Sequence, residues 1–547
     1  MPMNPRLLRP LASGFLKDAD AIAYVAAVEA ADGQKLEKGV ALAYESFITG
    51  CKADGIWDAI KASCILAGAR TLTGALVPLK GSAPTNNGPF DPGDYNRATG
   101  LIGNATTKYL NSNRNNNADP QNSHHLAVYA SELDSNAGGI CIHAGSGVAG
   151  AAGSTMLVER GSVPGALRAR SRSSTLSSAS NNEAVGFLAV GRSAAGTHVI
   201  RTNGASSSHS ISSDAALNGN HFVFAGNNAG SPTNASNARL AYYSIGESLD
   251  LALLDTRVSA LIRALRPQAA NADAQDWIDR VYANGGSVST STANAVNTFC
   301  DAIDAASIRD RFYRLNLFCG TGLNAALVPL YRNTSLAGSA LGNATDTNSG
   351  ALFVSGDYTE PTGLTGGTNK HLDTGLAPDN MPLGVVQAMA LSFSHGPTPD
   401  LNTDPRPVGA AAISPVNERF VLILTIRSSV TGVLSSTLGR GNALNSAQIA
   451  AGPQPSASWV ASRTSATSLV AYKNGIADAT LAITVTPIAS HALPFFVCRS
   501  NEAGVATGSA IALPHRHYSI GAGLTGSEVA SYDTALAAFR SAIGRTA

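Results

Sequence analysis

Glu132-Leu133-Asp134 opens a Glu-x-Asp-x-x-Glu pattern, the arrangement that sets three carboxylates on one face of a strand and lets an acid and a nucleophile flank a glycosidic bond. Ala137 stands where the last Glu is required, so the set is incomplete and glycoside hydrolysis is not expected. Gly145-Ser146-Gly147-Val148-Ala149-Gly150 matches the spacing of a dinucleotide-binding turn. The Ser/Arg-rich stretch behind it offers neither a second parallel strand nor an acidic residue at the right distance, so a Gly/Ala loop between strands is expected. His124-His125 and His515-Arg516-His517 are metal-ligand types. Adjacent histidines on a strand face opposite ways. His515 and His517 share a face if extended, but no third ligand accompanies them. No catalytic set and no metal site is expected.

Sugar binding has better residue types behind it. Lectin-like sites use loop Asn and Asp for hydroxyls and an aromatic ring for the apolar sugar face. Asp94, Tyr95, Asn96 and Arg97 bring these together, and Asp357-Tyr358 recurs further on. The competing reading is that the strip, with Gly100-Leu101 and Gly363-Leu364 behind it, recurs because the fold needs it.

That recurrence belongs to a long internal duplication. Gly74-Ala75-Leu76-Val77-Pro78-Leu79 returns as Ala325-Ala326-Leu327-Val328-Pro329-Leu330, and Tyr243-Ser244-Ile245-Gly246 as Tyr518-Ser519-Ile520-Gly521. Each copy begins with helical spacing. Ile22, Val25 and Val28 follow a capping Asp18 or Asp20, their partner runs from Asp273 to Val281, and Gly33 and Gly286 end the two helices. Leu36, Val40, Tyr44 and Phe47 give a second helix, and Ile56 with Ile60, matched by Ile308 with Phe312, reads as a third. After each Leu-Val-Pro-Leu the chain breaks into short β-rich runs between Gly, Ser, Thr and Asn clusters, the pattern of an antiparallel sandwich. Asn203-Gly204 and Asn474-Gly475 close matching hairpins, because both residues tolerate positive φ in a type I′ turn. A closing helix follows each Tyr-Ser-Ile-Gly, with Leu254, Val258, Leu261 and Leu265 on one face and Val529, Tyr532, Leu536 and Phe539 on the other copy's. The expected division is 1–66 helical, 67–268 first sandwich, 269–322 helical connector and 323–547 second sandwich. Only the second copy has the Pro- and Asp-rich stretch 396–415, which reads as a long surface loop rather than a central strand.

Composition sets outer bounds. A chain of 547 residues exceeds one hydrophobic core, and 44% hydrophobic residues suffice for burial. Only 14% of residues are charged and the net charge is +1, with no basic run interleaved with aromatics, so nucleic-acid binding is not expected. No apolar stretch approaches bilayer length and no apolar core follows Arg6 and Arg9, so neither membrane insertion nor a signal peptide is expected and synthesis in a cytoplasm is. Six cysteines form no CxxC and none recurs in both copies, which favours buried thiols over a shared disulfide framework.

The Asn-Gly hairpin, the Tyr-Ser-Ile-Gly strand and the closing helix resemble the concanavalin A-like (laminin-G-like) jelly-roll module. The ending His517 to Thr525 is similar to such modules in tailed-phage structural proteins. So are the opening Arg6 to Phe15 and Lys52 to Lys61, whereas Ser307-Ile308-Arg309-Asp310 departs from Gly55-Ile56-Trp57-Asp58. The resemblance implies a mainly β chain of two antiparallel jelly-roll sandwiches with helical lead-ins. It implies a non-enzymatic virion protein: a tail, collar or baseplate fibre component, or a head decoration. Its implied partners are itself, as a homotrimer, other virion proteins, and host surface polysaccharide. The alternative is a carbohydrate-binding adhesin. No cofactor is expected; calcium on loop carboxylates such as Asp91 and Asp94 is known of related modules but has no support in the residues.

Overall fold

The computed structural model describes residues 15–134, 139–148, 150–160, 165–332, 342–382, 388–396, 406–412, 418–425, 432–440, 445–449, 456–465, 468–482, 491–507 and 513–545. The chain divides into two compact units, Met1–Arg266 and Pro267–Ala547. Each is an antiparallel jelly-roll sandwich of two sheets with helices against the outer face of one of them.

In the first unit, the helix-covered sheet runs in the order Ala205–His209, Thr197–Thr202, Gly186–Ala194, His124–Glu132, Arg239–Gly246, Ile60–Ile65 and Pro78–Lys80. The second sheet runs Ser177–Asn182, Ala166–Ser171, Thr155–Arg160, Ile140–Ser146, Asn220–Val223, Tyr109–Asn115 and Thr85–Asn87. The second unit repeats both orders. Ile476–Ala482, Ser468–Lys473, Ala457–Ser465, Met389–His395 and Pro514–Ala522 form the covered sheet, with Phe312–Asn316 beside the last. Asn445–Ile449, Gly432–Arg440, Glu418–Thr425, Val408–Ala412, Phe496–Val497, Leu372–Asp373 and Thr347–Asn348 form the other. The duplication therefore holds strand by strand.

The helices are α1 (Ala19–Asp32), α2 (Lys38–Ala53), the one-turn α3 (Leu72–Ala75) and α4 (Leu251–Leu265) in the first unit. The second has α5 (Ala272–Ala283), α6 (Thr290–Ala305), the one-turn α7 (Leu323–Ala326) and α8 (Gly526–Ala542). Asp18 caps α1 through the Asp20 and Ala21 amides, and Gly33 ends it at φ 66°. α5 starts at Asn271 and ends at Asn284, two residues before the expected Gly286. Both Asn-Gly turns carry positive φ at each residue, as type I′ requires: 50° and 70° at Asn203-Gly204, 48° and 77° at Asn474-Gly475.

Packing joins what sequence spacing separates. Val28, Tyr44, Phe47 and Leu261 share one buried cluster with Ala127, Phe187 and Tyr242 of the sheet, so the helical lead-in is the outer layer of the sandwich unit. Each fully buried Leu or Phe contributes about 1.5–3 kcal/mol. On the other side of that sheet, Leu126, Val128, Leu188, Val190 and Tyr243 meet Leu157, Leu167 and Val223 of the second sheet.

Two sequence expectations are corrected. The third helix is a 3-10 turn, Trp57–Ala59, followed by the strand Ile60–Ile65, which pairs with Arg239–Gly246; Arg309–Arg311 and Phe312–Asn316 do the same in the second unit. These strands are buried on both faces, so their apolar spacing carries no clean period of two. The segment expected to be a surface loop contains Val408–Ala412, a central strand pairing with Glu418–Thr425 on one side and Val497 on the other. Pro407 lies just outside the strand and leaves its ladder intact; 397–405 and 413–417, with the other prolines of the stretch, lie outside the described residues.

Candidate functional site

The strip expected to bind sugar is a joint inside each unit. Asp94 closes a capping box by accepting from the Asp91 amide at 2.7 Å, and the Lys108 ammonium bridges Asp91 and Asp94. The two carboxylates are thus engaged by a lysine of this chain. Tyr95 donates its phenol to the Ala69 carbonyl at 2.7 Å, and Asn96 accepts from the Ala98 and Thr99 amides. Arg97 reaches the Gly68 carbonyl at 2.7 Å and forks onto Glu37 at the head of α2, holding that carboxyl down to about 2. In the second unit Asp357 accepts from the Val354 amide and pairs with Lys370 at 2.6 Å. Tyr358, only 5% exposed, donates to the Gly320 carbonyl at 2.8 Å. Tyr358 is buried and Tyr95 half-buried, and both phenols are engaged by backbone carbonyls. The strip recurs because it ties each lead-in to its sandwich.

The other candidates are also absorbed by the fold. Glu132 pairs with Arg239 at 2.8 Å and Asp134 accepts from the Asn237 amide; Ala137 lies outside the described residues. Gly145 and Ser146 end a strand and Gly147 turns at φ 107°, giving a loop between antiparallel strands; Ala149 is not among the described residues. His124 bonds Ser171 of the facing sheet, while His125 donates Nδ1–H to the Glu247 carbonyl on the opposite face. His515 and His517 do not share a face. The register steps from His517 to His515 across a bulge at Arg516, so His515 turns toward Phe393 in the core and His517 toward Tyr532 of α8. Among the described residues, no three His, Cys, Asp or Glu side chains gather as a metal site. All six cysteines are buried. Among those residues, no helix is long and apolar enough to cross a membrane.

The bulge has a second consequence. It aims Arg516 into an open cleft of about 360 Å³ between the strand Pro514–Ala522 and the end of α8. Arg540 and Arg545 also line it, with Ser456, Asn474 and Ser541 as further polar groups and no carboxylate among the described lining residues. Arg545 is wrapped by backbone, donating to the Glu360 carbonyl at 2.7 Å, the Leu317 and Arg516 carbonyls at 2.9 and 2.8 Å, and that of Phe318. Arg516 donates to Ser456 Oγ at 3.0 Å. Burial, with repulsion from Arg545 and Arg540, pushes its guanidinium down to about 10. The Arg540 carbonyl accepts from the Arg545 amide at 2.9 Å, while its guanidinium, held below the usual arginine value by burial, feels the charge of Asp533. Two acids among the described residues nearby are engaged by other groups. Asp533, which attracts Arg540, accepts from Ser458, and Glu360 accepts from the Gly320 amide and the Thr292 hydroxyl.

The first unit fills the corresponding positions differently. Counted from Tyr243 and Tyr518, Arg516 stands where the first unit has Ala241, at the same bulge, and Arg540 stands where it has Leu265. Ala241 and Leu265 both belong to the buried helix–sheet cluster. In the sequence Arg516 is only the middle of a histidine pair, and Arg540 and Arg545 belong to no motif. The available signal was this register, in which two apolar residues of one copy are arginines in the other.

No protein-family model matches the chain, and no curated protein matches it. Among solved structures it is similar to the binding domain of botulinum neurotoxin serotype D, at 12% identity over 42% of this chain and 52% of that one, with a TM-score of 0.29. It is similar to a heptameric SAP-like pentraxin from Limulus polyphemus, at 12% identity over 26% of this chain and 68% of that one, TM-score 0.22. It is also similar to Trypanosoma rangeli sialidase, at 10% identity over 69% of this chain and 60% of that one, TM-score 0.28. The chain spans about half the length of the botulinum binding domain it matches. At these identities and scores the likenesses carry no argument about what this chain binds.

Proposed function

We propose that this chain is a non-enzymatic structural protein of a tailed-phage particle, carried on the outside as an appendage component or head decoration. One observation supports this above the others: what the two units share is scaffold. Strand order, Asn-Gly hairpins, the Tyr95 and Tyr358 ties and the capped closing helices recur, while no acid–nucleophile pair or metal cluster recurs among the described residues. Weakly charged β surfaces suit assembly with copies of itself, taken as three by analogy with such appendages, and with other virion proteins. Mass spectrometry of particles induced from cells carrying the gene tests it. The chain should co-purify with the particles through a density gradient; its absence from them would remove the virion role.

The second reading, a glycan-binding adhesin, is favoured by the arginine cleft, a built polar recess that assembly does not require. Incubation with host-envelope polysaccharide separates both readings from an enzyme: neither yields hydrolysis products.

A further inference from the structure

Five Asn-Gly pairs occur in the chain, beginning at Asn87, Asn203, Asn218, Asn284 and Asn474. A glycine leaves its own main-chain nitrogen unshielded by any Cβ, so that nitrogen can attack the preceding asparagine Cγ when the side chain is free to swing onto it. Four of the five pairs are held. Asn474 accepts from the Ser458 amide at 2.9 Å, which ties its side chain to the neighbouring strand. Asn218 accepts from the Asn115 side chain at 2.6 Å, and the Gly219 nitrogen donates to the same Asn115 at 3.1 Å. Asn284 donates to the Asn324 carbonyl at 2.8 Å, and the Gly285 nitrogen donates to the Tyr282 carbonyl at 3.1 Å. Asn87 donates to the Thr85 carbonyl at 3.1 Å, with Gly88 packed against Thr107. Asn203 and Gly204 differ. Both are exposed at the tip of the hairpin joining Thr197–Thr202 to Ala205–His209. The Asn203 side chain has no hydrogen-bond partner among the described residues, and a Cβ on Gly204 would meet nothing within 4 Å. Asn474-Gly475 has the same type I′ backbone, so the two copies form a matched pair that differs in the tether.

We propose that Asn203 is a self-modification site, which converts to aspartate and isoaspartate in the folded protein while the other four pairs are protected. The Gly204 nitrogen bonds to Asn203 Cγ, the Cγ–Nδ2 bond breaks, and the amide proton leaves with the side-chain nitrogen as ammonia. Solvent water then opens the resulting succinimide. Attack at Cγ restores the main chain and gives aspartate; attack at the main-chain carbonyl leaves the chain running through Cγ and gives isoaspartate. Ring closure requires Asn203 to leave its turn conformation. Its place permits this, because Ala205–His209 is the last strand of its sheet and such edges open locally at low cost. Either product adds one negative charge and so cancels the formal net charge of +1. Isoaspartate also lengthens the main chain by one carbon, which a two-residue turn absorbs only by loosening the Thr202–Ala205 pairing.

The test stores the full native chain in mildly alkaline buffer and digests aliquots with trypsin, a time-zero aliquot correcting for the digestion itself. Tandem mass spectrometry with electron-transfer fragmentation then locates each deamidated residue and separates isoaspartate from aspartate. Cleavage after Arg201 and Arg239 leaves Asn203 and Asn218 in one peptide, so the second is an internal control for the first. In the native protein Asn203 should react about tenfold faster than each of the other four, and in denaturant the five rates should converge. In Asn203→Asp the acidic species that grows with time on ion exchange should no longer arise. A native rate at Asn203 no higher than at Asn474 overturns the proposal, as does any tethered pair reacting first. An acidic species that still accumulates at the same rate in Asn203→Asp overturns it too, since the charge then comes from another residue.

Discussion

Arg314 and Asp346 face each other at 2.6 Å with neither side chain exposed to solvent. Tyr518 donates its phenol to the same carboxylate at 2.6 Å and Asn316 its amide at 2.8 Å, so each Asp346 oxygen is satisfied. In the first unit the strand positions of Arg314 and Asn316 are held by Ala62 and Cys64, opposite Ile245 and Tyr243. One scaffold thus accepts an apolar or an ionic filling at the same sheet position. Breaking the ionic filling from one side strands a buried cation. Asp346→Asn should therefore cost about 3–5 kcal/mol. Chemical denaturation followed by tryptophan fluorescence, read through Trp277 and Trp459, should show the second unit unfolding at lower denaturant; a loss under about 1 kcal/mol would contradict the account.

Acid should destabilise the fold earlier than its carboxylates alone would bring about. Burial lowers His125, His198, His395 and His515 to about 4 and His221 to about 3. These folded-state values lie below the ordinary histidine value of 6.5, so the unfolded chain takes up protons first as pH falls. Their contribution is fully present above pH 6.5 and is lost as pH drops toward 4, by about 1.4 kcal/mol per pH unit for each histidine. Melting temperature against pH should fall through that window, and His125→Gln should flatten the slope. A flat profile from pH 6.5 to 4.5 would show the rings to be accessible.

Tyr95→Phe and Tyr358→Phe test the joint. Each removes the phenol that the Ala69 or Gly320 carbonyl accepts. Stability should fall by about 1–2 kcal/mol in either variant, with saccharide binding unchanged. Lost sugar binding at unchanged stability would restore the strip as a binding site.

Much of this fold was readable from the chain because it is written twice. Tyr-Ser-Ile-Gly, the Asn-Gly turns and the closing helices all stand where local pattern places them, since turn chemistry and amphipathic spacing are local signals. Ile60–Ile65 shows no strand alternation because it is buried on both faces. Val408–Ala412 resembles a loop in the sequence because a proline next to a strand looks like a proline inside a loop. His515 and His517 fall on different faces because of a bulge that leaves no mark in residue types. The arginine cleft was illegible for a different reason. Arg516, Arg540 and Arg545 come from a strand, a helix and the segment after it, and only folding brings them together.

The cysteines make a separate test of the core. Burial raises Cys51, Cys64 and Cys300 to about 12, and Cys319 and Cys498 further. A thiol reagent should label none of the six in the native protein and all six after denaturation, as read by intact mass. Rapid native labelling of any one would mean that its element opens.

Cryo-electron microscopy of intact particles tests the central claim most directly. The account predicts two sandwich-shaped lobes per chain on the particle exterior, repeated with the symmetry of an appendage or the capsid surface. Particles whose outer density leaves no place for these lobes, with the chain recovered only from the cell lysate, would contradict it.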